Sequence, residues 1–174
     1  MSMKINFRIK KGIIGAVCAV ILVLLDQLTK RLAVTHLMNQ KPFIIWDGVF
    51  ELRYLENRGS AFGMMQNKLA ILIPLTVVVC IAILYIYLWR IPNNQRFRWL
   101  DVTAVLFLAG AVGNFIDRIA QGYVVDFFYF ILIDFPIFNV ADIYVVVAAF
   151  LLLALCLFYY KEEDFEVIFP SKKE

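Results

Sequence analysis

Histidine, cysteine and charge are all scarce in this 174-residue chain, and each scarcity excludes something. His36 is the single histidine. With no His-Glu-x-x-His pattern and no Cys/His cluster, the zinc-hydrolase signatures are missing. The three cysteines, Cys18, Cys80 and Cys156, stand far apart inside apolar runs. They form neither a disulfide framework nor a metal pattern and read as small apolar packing residues. Charged residues make up only 18% of the chain. Internal repeats and low-complexity tracts are not detectable. Nothing reads as a basic surface for nucleic acid.

What is present is apolar: 63% hydrophobic residues and a mean hydropathy of +0.79. Soluble domains carry less apolar and more charged sequence. A spanning helix needs about 20 mostly apolar residues. Four segments meet that length, at about residues 12–34, 69–89, 100–118 and 141–160. The first and third do so only with Asp26 and the stretch from Asn114 to Arg118 inside or at the edge of the span. The N-terminus has basic residues before an apolar run, as a signal peptide does. A small-x-small cleavage site is missing and three further spans follow, so it reads as the first span. Cys18 follows Val17, where lipid attachment would want a small residue. The expected fold is an all-α membrane protein of four transmembrane helices with a small β element, one domain over residues 1–174.

Lysine and arginine set the expected orientation. Ten lie on the side shared by both termini: Lys4, Arg8, Lys10, Lys11, Arg90, Arg96, Arg98, Lys161, Lys172 and Lys173. Seven lie opposite. Both termini are therefore expected on the cytoplasmic side.

The first outer loop, about residues 35–67, carries Asp47-Gly48 between two apolar or alternating runs. That is a hairpin signal, with Trp46 and Tyr54 suited to a membrane interface. It leads into Asn57-Arg58-Gly59-Ser60-Ala61-Phe62-Gly63. The second outer loop, residues 120–138, is aromatic and β-branched and reads as extended chain.

Asp126 and Asp142 flank that second loop. An ionisable residue at membrane depth is a functional-site candidate. Two carboxylates that meet in a poorly solvated site share one proton, the arrangement used by aspartic proteases. The alternative is that each is a cap or a surface charge. Gly110, Asn114, Asp117 and Arg118 fall on one face of the third span by their i, i+4, i+7 and i+8 spacing. Asp117 and Arg118 read as an ion pair at the interface. Asp26 and Lys30, four apart, form a stabilising acid-before-base pair. Asn57 and Asn139 are amides near turns, most simply caps. A Ser60–His36 dyad has no group to orient the histidine.

Five segments together resemble the bacterial lipoprotein signal peptidases, or signal peptidase II. They are Asp26-Gln27-Leu28-Thr29-Lys30, Asn57-Arg58-Gly59-Ser60-Ala61-Phe62, Gly110-Ala111-Val112-Gly113-Asn114-Phe115-Ile116-Asp117-Arg118, Val124-Val125-Asp126-Phe127 and Phe138-Asn139-Val140-Ala141-Asp142. The resemblance covers nearly all of the chain except its tails. It implies an intramembrane aspartyl protease of the bacterial cytoplasmic (inner) membrane, with a β-cradle on the outer face and no cofactor or metal. Asp126 and Asp142 match the family's catalytic dyad. Asp26, Lys30, Asn57, Gly59, Asn114, Arg118 and Asn139 match its supporting positions, and Gly110, on the same face as Asn114, is taken with them as a supporting or substrate-binding residue. The implied partners are membrane lipids, prolipoproteins carrying a diacylglyceryl-cysteine, and globomycin-like inhibitors. Departures from the common pattern are Ala109 before Gly110, Ser60 where alanine is frequent, and Asp134-Phe135-Pro136. The Gly-x-Gly-Asp signature of presenilin-type proteases is absent. The rival reading is a small transporter or channel subunit lined by Asp26, Lys30, Asp117, Arg118, Asp126 and Asp142, but these gather at one end of the spans and leave no polar path to the other.

Overall fold

The computed structural model describes residues 2–59 and 68–170, with side chains from Arg8 onward. The Ser60 half of the serine–histidine reading lies outside them. The elements run α1 (Ser2–Leu37), β1 (Phe43–Trp46), β2 (Phe50–Asn57), α2 (Leu69–Tyr85), α3 (Arg98–Gln121), β3 (Val124–Phe130), α4 (Val140–Ala154) and α5 (Glu162–Ile168). Four helical stretches are long and apolar enough to cross a membrane: Arg8–Leu37, Leu69–Arg90, Gln95–Gln121 and Val140–Tyr159.

Helix α1 reaches well beyond its apolar run. At 1.5 Å per residue its 36 residues extend about 54 Å, against roughly 30 Å for a hydrocarbon core. Most of its large apolar side chains point outward, among them Ile13, Val17, Ile21, Leu24 and Leu28. That is the pattern of a helix solvated by lipid rather than by water. The cysteines follow it. Cys18 and Cys156 are exposed and face outward, and Cys80 is half-buried.

The core between helices is built from small residues. Ala109, Ala141 and Ala148 have no exposed surface. In lipid, helix association rests on close packing, which small residues permit. A Cβ on Gly110 would sit 2.5 Å from the Ala141 carbonyl oxygen, so α3 and α4 touch backbone to backbone there.

Beyond one end of the bundle lies a three-stranded antiparallel sheet in the order β1-β2-β3. Gly48 takes φ +69 in the Asp-Gly turn, as the hairpin reading expects. Trp46 is exposed, whereas Tyr54 packs back toward Ala33, Leu37, Val125 and Phe127 of α1 and β3. The second outer stretch is only partly extended chain. Helix α3 runs on to Gln121, β3 follows, and a single 3-10 turn occupies Ile131–Ile133. Strand β3 completes the sheet, with Leu55 opposite Asp126 and Asn57 opposite Val124. A bulge between Leu52 and Leu55 lies beside Asp126.

At the termini end, α2 and α4 each finish in a π-helical turn, Ile86–Arg90 and Leu155–Tyr159. These turns close around Tyr87, Ile91, Phe97, Leu155, Tyr160 and Ile168. Ile168 belongs to α5, in a stretch that reads from sequence as a tail. Arg96 fastens it, donating to both Asp164 oxygens at 3.0 and 2.6 Å, while Arg90 Nε donates to the Ile168 carbonyl at 2.6 Å. Arg96 holds the Asp164 carboxyl down at about 2, helped by the Lys161 N–H. Lys11, counted from sequence as a tail charge, is buried against Asp101 at 2.7 Å and donates to the Ile91 carbonyl. The termini end therefore has a buried ion pair that the channel reading, with its polar residues at one end only, does not contain.

Candidate active site

The sheet end of the bundle holds a polar cluster centred on Lys30. Its Nζ lies 2.9 Å from Asp26 Oδ2, 3.1 Å from Asp117 Oδ2 and 2.9 Å from Asn114 Oδ1. An ammonium has three N–H donors, so each has one acceptor. Asp26 is fully buried, and Lys30 and Asp117 are 3% and 4% exposed. The expected Asp26–Lys30 pair is present, but it is one side of a three-way group. Asp117 is not paired with Arg118, because adjacent helical residues diverge. Asp117 turns toward Lys30, toward Gln27 Nε2 at 2.8 Å and toward the Val125 N–H at 3.1 Å. Helices α1 and α3 and strand β3 are thereby tied through one carboxylate.

Asp26 reaches the fourth helix. Its Oδ1 accepts the Ala141 N–H at 2.9 Å, one of the donors that the start of α4 leaves without an intrahelical partner. Gly113 makes the room: a Cβ there would lie 2.6 Å from Asp26 Oδ2. Gln27 bridges Asp26, Asp117 and the Gly113 carbonyl. Sequence reading gave neither Gln27 nor Gly113 a role. The available signal was spacing, since Lys30 follows Asp26 by four residues and Gln27 by three, the two intervals that bring side chains together on a helix.

Above this base lie the two aspartates, joined by Asn139. Asn139 is the N-cap of α4, as its sequence position suggests. Its Oδ1 accepts the Asp142 N–H at 3.0 Å, and Asp142 Oδ2 returns the bond from the Asn139 N–H at 3.1 Å. This reciprocal capping box fixes the Asp142 carboxylate over the first turn. The same Asn139 side chain donates from Nδ2 to Asp126 Oδ1 at 2.6 Å and to Asn114 Oδ1 at 3.1 Å. Asn114 Nδ2 donates to Asp142 Oδ1 at 2.7 Å. Both amides have only one orientation compatible with these partners.

Asn57, at the end of β2, donates to Asp126 Oδ2 at 2.8 Å and accepts the Gly59 N–H at 2.9 Å. It forms a local turn and also contacts the site, so the cap reading was half the story. Arg118 donates to the Gly59 carbonyl at 3.0 Å. Its Nε is buried without a hydrogen-bond partner among the described residues. Of the ten residues singled out from sequence, nine join this one network through side chains or, at Gly59, through the backbone. Gly110 serves it by bringing α3 onto α4. His36 is exposed on α1 and takes no part.

Burial drives the Asp126 carboxyl up from its ordinary value to about 7, and the Asp142 charge adds to the rise. The Asn57 and Asn139 amides and the Lys30 charge oppose it. A group poised there exchanges its proton near neutral pH. Among the described residues no three or more His, Cys, Asp or Glu side chains gather as a set that could hold a metal ion.

Residues 18–158 match the family described as Signal peptidase (SPase) II. The chain belongs to the signal peptidase II family. It is an aspartic peptidase that removes signal peptides from prolipoproteins, and this identification sets the channel reading aside. It is 44% identical over 140 residues to a lipoprotein signal peptidase of Caldanaerobacter subterraneus subsp. tengcongensis, covering 78% of this chain and 90% of that one. The Streptococcus thermophilus lipoprotein signal peptidase is 42% identical over 140 residues, covering 80% and 88%. A solved structure titled "Bacterial membrane enzyme structure by the in meso method at 2.3 A resolution" superposes with a TM-score of 0.75 at 29% identity, over 92% of this chain and 93% of the other. The signal peptidase II match begins after the first turns of α1 and stops before α5.

Proposed function

We propose that Asp126 and Asp142 are the catalytic pair of this signal peptidase II, and that the peptide bond it cuts precedes a diacylglyceryl-modified cysteine. The observation that carries the reading is the single amide of Asn139. It holds Asp126 directly and Asp142 through the helix cap. Two carboxylates set this way, with burial and mutual repulsion acting together, hold one proton between them near neutrality. The ionised partner takes a proton from a water, whose oxygen adds to the scissile carbonyl. The protonated partner hydrogen-bonds the oxygen that gains charge. Collapse of the tetrahedral centre breaks the C–N bond, and the proton taken from water passes to the departing amine. Asp26, Lys30, Asn114, Asn139, Asn57 and Arg118 position these two groups and the segment at Gly59, Gly59 leaves room for a small residue before the cut, and Gly110 seats α3 against α4 beneath it.

In this reading the termini are cytoplasmic and the site opens to the outer face of a bacterial cytoplasmic membrane, in keeping with ten of 17 lysines and arginines on the termini side. A site at that border receives a lipid-anchored cysteine directly from the bilayer. Globomycin-like cyclic peptides occupy the same site as inhibitors. The test is cleavage of a lipidated peptide by purified Asp126→Asn and Asp142→Asn variants. Both insert in the membrane normally and neither cleaves. Turnover at the wild-type rate by either one refutes the assignment, and equal cleavage of an unlipidated peptide refutes the substrate.

A further inference from the structure

A cavity lies beside the sheet. A groove of about 810 Å³ opens between the last turns of α1 and the β1–β2 hairpin. Its floor is apolar: Ala33, Leu37, Leu52 and Phe127. Lys41 and His36 line its polar part, and the lining described includes no carboxylate. From the geometry we infer that this groove is a binding site for a bilayer phospholipid, with the phosphate at Lys41 and an acyl chain along α1.

Three observations identify the occupant. First, the groove sits where the apolar span of α1 ends at Leu37, so its floor continues the outward-facing row of Leu24, Leu25, Leu28 and Leu32. Second, the adjoining edge strand β1 leaves all of Phe43, Ile44, Ile45 and Trp46 more than half exposed. An uncovered apolar edge strand is a liability in water, and acyl chains cover it. Third, the lining's ionisable groups are basic. They suit a phosphate, which the diacylglyceryl-cysteine of a substrate does not carry. Successive residues of a strand point to opposite sides: Phe127 faces this groove while Asp126 faces Asn139. The site is thus separated from the reacting pair by β3, and it does not depend on the assignment of that pair. A lipid seated here touches α1, β1, β2 and β3 together and so steadies the strand that carries Asp126.

The test uses the purified full chain, stripped of lipid in detergent and then titrated with phosphatidylglycerol, with retained lipid read by native mass spectrometry. Two variants probe the groove without touching the polar network: Lys41→Glu reverses the charge, and Thr35→Trp fills the cavity from its exposed rim. A basic residue near a lipid phosphate contributes a factor of about five, so charge reversal weakens retention by about 25-fold. Thr35→Trp is expected to weaken it comparably, with both variants keeping the lipid-free melting temperature of the parent. Equal retention of phosphatidylglycerol by parent and both variants overturns the proposal. So does retention of diacylglycerol as strong as that of phosphatidylglycerol, which removes the role of the phosphate. Displacement of the lipid by equimolar glycerol phosphate overturns it as well, because the site then recognises a free phosphate.

Discussion

Replacing Lys30 by methionine, which keeps an unbranched stem one atom shorter and deletes the charge, tests the polar base of the site most directly. In the native protein one ammonium serves two buried carboxylates and an amide. Breaking a buried ion pair from one side costs about 3–5 kcal/mol, because the remaining charge has no partner. Here two carboxylates are stranded, so Lys30→Met is expected at the top of that range. For a chain of this size 1 kcal/mol corresponds to roughly 2–4 °C in melting temperature, which places the loss at about 10–20 °C. Adding Asp26→Asn restores only part, since Asp117 still faces the gap. Adding Asp117→Asn as well restores more, because neutral amides can hydrogen-bond one another and Gln27. The expected ranking in a detergent thermal-shift assay is parent, then triple, then double, then single. Lipopeptide cleavage falls in all three, because Asn114 loses the group that orients its amide toward Asp142. An unchanged melting temperature for Lys30→Met refutes the reasoning. A double variant as stable as the triple shows that Asp117 is not part of the charge balance.

Three further outcomes follow from the geometry. A carboxyl whose folded value is raised binds its proton more tightly in the folded protein, so Asp126 makes stability fall as pH rises from about 4, the ordinary carboxylate value, to about 7; chemical denaturation across that window shows the slope, and Asp126→Asn removes that part of it. Gly110→Val drives side-chain atoms into the Ala141 carbonyl and Val145, parting α3 from α4; overpacking of this kind costs about 1–3 kcal/mol or more, and both melting temperature and cleavage drop. Arg96→Ala releases α5, so hydrogen exchange accelerates across residues 162–168 while lipopeptide cleavage continues.

The spans and the hairpin were legible because each rests on a local pattern: apolar length in one case, Asp-Gly between alternating runs in the other. The site was legible as residue types but not as partners. Asp117 next to Arg118 looks like an ion pair along the chain, yet the helix turns the two side chains apart and brings Asp117 to Lys30 on another helix. Lys11 read as a tail charge because the apolar run begins after it, while the helix continues through it and carries it against Asp101. Helix α5 was missed for a similar reason. Its seven residues are too few to show amphipathic periodicity, and what fixes them is Arg96, more than 60 residues earlier in the chain. Contacts between distant segments carry no local signature, so pairing is the information that only the fold supplies.

Asn139 both caps α4 and grips Asp126, and this has a consequence for how the chain can diverge. The interval from Asn139 to Asp142 cannot gain or lose a residue, because one added residue turns the carboxylate by about 100° around the helix. The stretch from Ile131 to Ile137 is under no such restraint. It is tied to the sheet by the Ile131 N–H on the Val49 carbonyl, the Phe135 N–H on the Phe130 carbonyl and the Tyr129 hydroxyl on Asp134, none of which fixes the number of residues before Phe138 bridges Phe128. Length change is therefore expected to accumulate in that connection and stop abruptly at Phe138. Among descendants of this sequence, the shape of the surface beside the site can drift freely while the distance between its two acids stays constant.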